Sequence, residues 1–463
     1  MTDPDMTVQD PGERDGDVYA LDRRTIADVR DAVEVGDAAR LAALLDDLHA
    51  ADIADLIEQI GGDERQGLVR LYGRAFDGEI LSELSEGLRE EVIGALAPDI
   101  LSEAVRDLES DDVVDLIEDL ETPTQEAILD ILEAPDRVAV EQALSLPEFS
   151  AGRLMQREFV VTPRHWTVGH AIDFLRGQAE LPEQFYHVIL VDPRMKPEGY
   201  VTLGKLMSSR REVRLADIAE DSFRSFVMDE DEGDIAYAFN QYHLISAPVV
   251  DHDGRLVGVI TIDDAMAVLD EEHEEDILRL AGVGDEDITD RTLDIARRRF
   301  PWLFVNLVTA ILASLVIAQF EQIIGAVVAL AVLMPIVASM GGNAGTQTLT
   351  VAVRALATRD LTGSNAWRVI RREVVAGLLN GVVFAVLMGG VGYLWFGTAM
   401  LGLVIGAAMI INMVVAGLAG TLVPLALERA GVDPALASGA FVTTVTDVIG
   451  FFAFLGLASV VLL

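Results

Sequence analysis

The chain has 463 residues, a hydrophobic fraction of 51% and a formal net charge of −42. All of the excess acid falls in the first 300 residues, because the last 163 carry six basic and six acidic side chains. An acidic half joined to a neutral apolar half excludes a single soluble domain and a disordered chain, and argues against nucleic-acid binding, since phosphates need a basic face. Cysteine is absent, so there are no disulfides, thiolate metal sites or cysteine nucleophiles.

Residues 1–17, MTDPDMTVQDPGERDGD, lack a basic start and an apolar run. They are expected to form a short disordered tail rather than a signal peptide. Residues 18–149 read as an acidic, all-α domain, with apolar residues at three- and four-residue steps, as in Ile53, Leu56, Ile57 and Ile60. An internal repeat aligns 48–60 (LHAADIADLIEQI) with 108–120 (LESDDVVDLIEDL). Repeated helix pairs imply a small helical superhelix.

Residues 150–269 change character. β-rich runs appear at 186–191, 247–250 and 256–261, separated by turn formers such as Asp251-His-Asp-Gly254 and by helical runs. Two copies are visible, ending in Gly199-Tyr-Val-Thr-Leu-Gly-Lys-Leu-Met207 and Gly258-Val-Ile-Thr-Ile-Asp-Asp-Ala-Met266. This tandem α/β pair resembles CBS domains, which act as ligand-sensing regulators. Thr261 and Asp264 keep the spacing with which such domains hold a nucleotide ribose, so ATP or another adenine nucleotide is a candidate ligand. The first copy has Gly204 where that aspartate would be. Packing and dimerisation without nucleotide is the alternative role for the pair.

Residues 270–299 form a charged connecting helix. Asp270, Glu271, Glu272, Glu274, Glu275 and Asp276 fall within seven positions. Arg297-Arg298-Arg299 then reads as an interfacial anchor.

Residues 300–463 hold five apolar stretches, at roughly 301–320, 323–353, 374–396, 399–427 and 435–463. About 20 helical residues cross a hydrocarbon core, so each is long enough for a span. The second is too long for one straight span, and Pro335 with Gly341-Gly342 offers places to bend or break. The 354–373 connection carries five arginines, and the connections near 320 and 397 carry none. Basic short loops stay cytoplasmic. The soluble half is therefore expected in the cytoplasm and the C-terminus outside.

Asp447 lies well inside the last span, and no other charge shares it. A carboxylate at that depth costs about 2.5–3.5 kcal/mol on insertion scales and normally faces a partner or a water-filled path. An ion pathway is one reading. A protonated aspartate bonded across helices is the other. The stretch Pro335–Gln347 adds glycines that free backbone carbonyls, with Gly341 and Gly342 central, and neutral oxygens on Asn343, Thr346 and Gln347. Alone it also suits a tight helix crossing. Beside Asp447 it suits a hard cation, and oxygen ligands with few charges suit Mg2+, which often keeps its waters. Five spans are few for a pore within one chain, so a symmetric homodimer is expected, placing two copies of Asp447 around one axis.

The order of an acidic helical domain, a CBS pair, a connecting helix and five spans resembles the MgtE family of magnesium channels. So do 335–347, Arg354-Ala-Leu-Ala-Thr-Arg-Asp360, Val432-Asp-Pro-Ala-Leu436 and the aspartate of the last span. The resemblance implies a homodimeric, Mg2+-selective channel that closes when cytosolic Mg2+ is high. Asp447 would match the pore carboxylate that binds hydrated Mg2+, and Asn343 a pore-lining asparagine. Glu272, Glu275 and Asp276 would match regulatory acids of a plug helix, with Asp433 on the loop facing them. Asp111, Asp115 and Asp264 would sit at inter-domain Mg2+ sites. Ala267 and His243 stand where further acids are expected. With 76 acids against 34 bases, only two of them lysines, most of the acidic surface reads as solvated adaptation to a salty cytoplasm. An ion-coupled transporter of Mg2+ or other divalent cations is the alternative function. A CBS-regulated membrane enzyme is disfavoured, because no histidine follows residue 273 and a lone carboxylate is a poor active site.

Overall fold

The computed structural model describes residues 21–462 apart from 119, 179–180, 183–184, 221–222 and 284–291. The expected tail at 1–17 lies outside these residues. The chain divides into two units, Met1–Asp270 and Glu271–Leu463.

The first unit begins with short helices, from Arg23–Val35 to Ala134–Leu144. Side-chain caps start several of them. Asp22, Asp37 and His49 accept from backbone amides of the first turn, and Asp52 completes a capping box with His49. The repeat seen in the sequence is a structural repeat. It gives helices Ala50–Gln59 and Ser110–Glu118, with Ile53, Leu56 and Ile57 buried in one and Val113, Leu116 and Ile117 at the matching places in the other. Each fully buried Leu or Ile contributes about 1.5–3 kcal/mol. Two buried arginines tie successive helices together. Arg65 donates to the carbonyls of Ile57 (2.9 Å) and Ile60 (3.1 Å) and pairs with Glu91 (2.7 Å). Arg89 donates to Leu84 O (2.9 Å) and Asp115 O (2.9 Å) and pairs with the Asp115 carboxylate (2.7 Å). Each satisfies helix-end carbonyls that have no partner within their own helix.

Two three-stranded sheets follow. The first comprises β1 (Val161–Pro163), β2 (His187–Val191) and β3 (Pro197–Thr202), and the second β4 (Phe226–Val227), β5 (Ser246–Val250) and β6 (Leu256–Thr261). In both, the first two strands are parallel and the last two antiparallel. The register shifts at Leu190/Val191 in one and at Val249/Val250 in the other. The duplication read from the two copies is therefore a duplication of topology. A helix follows the last strand in each copy, Leu203–Ser208 in the first and the much longer Ile262–Leu280 in the second.

Among its described residues the second unit holds five helices long and apolar enough to cross a membrane: Ile295–Ala318, Ala329–Ala357, Ala366–Phe396, Ala399–Arg429 and Ser438–Val461. Two details differ from the sequence reading. The second stretch is interrupted at Val327–Val328, after a short helix Glu321–Ala326, and then runs helical through Pro335 and Gly341-Gly342. Proline removes only one donor, and of the two glycines Gly341 packs against Asn412 of the fourth span while Gly342 faces open space, so neither ends the helix. The arginine-rich connection is also shorter, because Arg368, Arg371, Arg372 and Glu373 lie in the first turns of the third span.

The fourth span is the hub. Of its most apolar window 56% is buried, against 6% in the first and third spans. Glycines allow this closeness. A side-chain carbon at Gly402 would lie 2.6 Å from Gly389 O on the third span, and one at Gly420 would lie 2.7 Å from Gly345 O on the second. Small residues let backbones approach where lipid supplies no hydrophobic drive for helix association. Gly402→Val is expected to part the third and fourth spans and lower the thermal midpoint of the solubilised protein, read by unfolding fluorescence. An unchanged midpoint would mean that this crossing does not hold the bundle.

Candidate functional site

Helix Ser110–Glu118 is held against the second α/β copy by its first turn and its last. Ser110 Oγ donates to Glu158 Oε2 at 2.8 Å, and the Arg157 amide donates to Ser110 Oγ at 2.9 Å. Gln156 donates to Glu109, and its backbone pairs with Val259 of β6. At the other end Arg153 pairs with Glu118 at 2.8 Å. These contacts bring Asp111 and Asp112 beside Asp264, in the first turn of the helix after β6.

The electrostatics there are unbalanced. Asp111 is only 8% exposed. Burial, and next the Asp264 charge, raise its carboxyl well above the usual range. The same two causes push Asp112 up to about 7. Burial pushes Asp264 up to about 6, although Thr261 opposes the shift by donating its hydroxyl (2.5 Å) and amide (3.3 Å) to Asp264 Oδ2. Glu109 is raised by burial as well. No basic side chain is among the principal influences on Asp111, Asp112 or Asp264. Buried carboxylates without a counter-charge either take up protons or hold a cation. Asp115 stands differently. Arg89 of its own domain grips it at 2.7 Å, while its charge still reaches Asp112 and Asp264. Among the described residues, no group of three or more His, Asp or Glu side chains is close enough to enclose a bare metal ion.

The second unit has its own acidic meeting point. Glu272, Glu275 and Asp276 lie on helix Ile262–Leu280. Arg279 pairs with Glu275 at 2.6 Å and with Asp433 at 3.3 Å. Asp433 also caps the last helix by accepting from the Ala435 amide at 2.7 Å. Burial, then Asp433, raises the carboxyl of Asp276, with Arg279 and His273 opposing.

Within the spans, the glycine stretch has two faces. Gly341 and Gly345 are buried. Asn343, Thr346 and Gln347 are exposed in the protomer, and Gly342 has nothing within 4 Å of the place where a side-chain carbon would stand. Thr346 returns its hydroxyl to Gly342 O at 2.9 Å, and Asn343 Nδ2 lies 3.4 Å from Ser339 Oγ. The buried face meets the last span: a carbon at Gly345 would lie 2.7 Å from Val442 Cγ1 and 3.5 Å from Thr446 Cγ2. Asp447, next to Thr446, is half-buried. Thr444 and Thr446 spend their hydroxyls on carbonyls of their own helix, at 2.6 and 3.0 Å. The polar side chains of the second span and the carboxylate of the fifth thus belong to two helices in direct contact.

Several residues of this kind escaped the sequence reading. Asp112 was legible as half of an Asp-Asp pair opening a helix, but its partner Asp264 is 152 positions away. Arg89 and Arg279, which neutralise Asp115 and Asp433, left no local signal. Asn412 was legible as the only amide in the fourth apolar stretch.

Comparison with known proteins bears on all of these regions. A family model described as a divalent cation transporter matches residues 334–457. The model for the MgtE intracellular N domain matches 48–148, and that for the CBS domain matches 216–271. The magnesium transporter MgtE of Thermus thermophilus is 33% identical over 450 residues, covering 96% of this chain and 99% of that protein. The magnesium transporter MgtE of Enterococcus faecalis is 36% identical over 310 residues, covering 67% of this chain and 68% of that protein. Among solved structures, the cytosolic domain of the Mg2+ channel MgtE in complex with ATP is 30% identical, with a TM-score of 0.49, covering 52% of this chain and 99% of that one. The soluble part of a magnesium transporter is 22% identical, with a TM-score of 0.48, covering 54% of this chain and 98% of that one. Similarity over nearly the full length of both chains, with family models matching at 48–148, 216–271 and 334–457, settles the class. This chain belongs to the MgtE family, and is a membrane protein of divalent-cation transport rather than an enzyme.

Proposed function

We propose that the chain is a homodimeric, Mg2+-selective channel that admits Mg2+ down its gradient and closes when Mg2+ binds on the cytoplasmic side. Asp447 carries this reading, as a half-buried carboxylate deep in an apolar span, beside a helix that exposes Asn343, Thr346 and Gln347. Two such aspartates around a dimer axis attract a divalent cation. Neutral oxygens and the backbone at Gly341 and Gly342 then accept its water shell without stripping it. The arginines at the cytoplasmic ends of the second and third spans favour a cytoplasmic soluble half and an outward C-terminus.

The division of labour follows the chain. The helical domain (18–149) and CBS pair (150–269) sense Mg2+, the connector (270–299) plugs, and the spans (300–463) conduct. Asp111, Asp115 and Asp264, joined by Asp112, are the inter-domain ligand set. Glu272, Glu275, Asp276 and Asp433 are the plug set. With little Mg2+ these acids repel and the pore opens. Bound Mg2+ draws them together, and it biases the equilibrium by its preference for the closed state. An adenine nucleotide at Thr261 and Asp264 would compete for a carboxylate that Thr261 already engages. ATP is therefore expected to shift the Mg2+ level at which currents close, and an Asp264→Asn channel should lose that shift.

Current through the reconstituted protein, with no coupling ion, tests the pore. Wild type should conduct Mg2+ and close as cytoplasmic-side Mg2+ rises, and Asp447→Asn should lose selective flux. Unchanged Mg2+ conduction in that variant would make the aspartate structural. Flux only under an imposed Na+ or H+ gradient would replace the channel with a coupled transporter.

The sensor has a pH signature. The raised carboxyls bind more protons in the closed-up arrangement than when freed, so its stability is full below about pH 4 and is lost as pH rises through the values near 6 and 7. In Mg2+-free buffer the full-length protein should therefore resist limited proteolysis between residues 109 and 264 better at pH 6 than at pH 8. Mg2+ should erase the difference, and Asp112→Asn should flatten it. Equal proteolysis at both pH values without Mg2+ would show that these acids do not face one another in solution.

A further inference from the structure

Up to its terminal Glu428-Arg429, the fourth span is apolar apart from Thr421 and Asn412, and Asn412 sits near its middle and is 1% exposed. Asn412 Nδ2 donates to Val337 O of the second span at 2.8 Å. Its Oδ1 has no partner among the described residues. Two glycines close over the amide from different helices. A side-chain carbon at Gly450 of the fifth span would lie 2.8 Å from Nδ2 and 3.0 Å from Oδ1, and one at Gly341 of the second would collide with the amide. One side chain thus stands where the second, fourth and fifth spans meet. Gly341 lies two residues before Asn343, and Gly450 three after Asp447.

Glycine seams bring helices close but present no knobs, so they resist sliding poorly. A hydrogen bond is directional, and a slip of one residue, about 1.5 Å along the axis, would break it. An apolar side chain of the same size would fill the same space without leaving an acceptor unsatisfied. The amide therefore buys register at the expense of burial.

We propose that Asn412 is a positioning residue of the pore: it fixes the second and fifth spans relative to each other and so sets the separation of Asn343 and Asp447. The inference rests on the reading of Asp447 as the pore carboxylate. Asn412 touches no permeating ion and acts through the two helices it braces.

The test uses the full-length reconstituted protein with no Mg2+ on the cytoplasmic face, and reads the outer-face Mg2+ concentration that half-blocks the Na+ current carried without divalent cations, alongside the amount of folded protein by size exclusion. Asn412→Leu should elute as wild type yet raise the half-blocking concentration about tenfold, as changes to residues that orient ion ligands do. Asn412→Ala, which adds no volume, carries the same expectation if the leucine variant does not fold. Gly450→Ala should raise the value similarly in the wild-type background and add nothing on top of Asn412→Ala, because the collision is with the amide itself. A half-blocking concentration unchanged in Asn412→Leu or Asn412→Ala, with current falling only in step with folded protein, would overturn the inference. Asp447→Asn separates the two levels. If it loses block while the Asn412 variants keep it, only the positioning role fails. If it blocks as wild type does, the pore reading fails and this inference with it.

Discussion

Buried carboxylate charge with no base among its principal neighbours, as at Asp111, Asp112 and Asp264, is the constraint on which this molecule turns. Its acids divide by their neighbours. Glu91, Asp115, Glu118 and Asp433 each meet a guanidinium at 2.7–3.3 Å, and those pairs join helix to helix or one domain to the next. Asp111, Asp112 and Asp264 have other carboxylates as their leading charged neighbours, Asp264 for the first two and Asp263 for Asp264. Exposed pairs contribute little, but removing one partner of a buried pair leaves an uncompensated charge. Carboxylates buried together with no cation are therefore the places where a bound ion changes the free energy most.

Arg279 shows how close the two classes lie. It holds Glu275 and Asp433 together through its own positive charge, between the connecting helix and the loop before the last span. A tethered cation thus occupies part of the acidic meeting point proposed for Mg2+. Asp276, beside it, stays raised by burial and by Asp433. The contact has an intrinsic hold and a remaining demand for positive charge, which suits an equilibrium that an ion can tip.

In the membrane the same logic meets a different solvent. Water cannot satisfy stray polar groups there, so polar side chains face a lumen, a partner or one another. Glycine seams bring the fourth span against its neighbours, and Asn412 adds a directional bond between the second and fourth spans, two residues from Asn343 in its contact with Gly341 and three from Asp447 in its contact with Gly450. The long second helix keeps its course through Pro335 because its glycines are packing surfaces on one side and open on the other. Its sequence alone reads equally as a place to break.

The sequence by itself determined what depends on local period and composition. Five apolar stretches, the helical repeat at 48–60 and 108–120, the duplicated α/β halves and the isolated Asp447 are all properties of short windows, and each corresponds to an element of the structure. Tertiary structure alone decided which acids answer one another. That Asp112 joins Asp111 and Asp264, that Arg89 takes Asp115 and Arg279 takes Asp433, and that Asn412 meets Val337, Gly341 and Gly450 are facts about residues up to 154 positions apart. Burial and Coulomb energy depend on distance in space, and no window of sequence contains that distance.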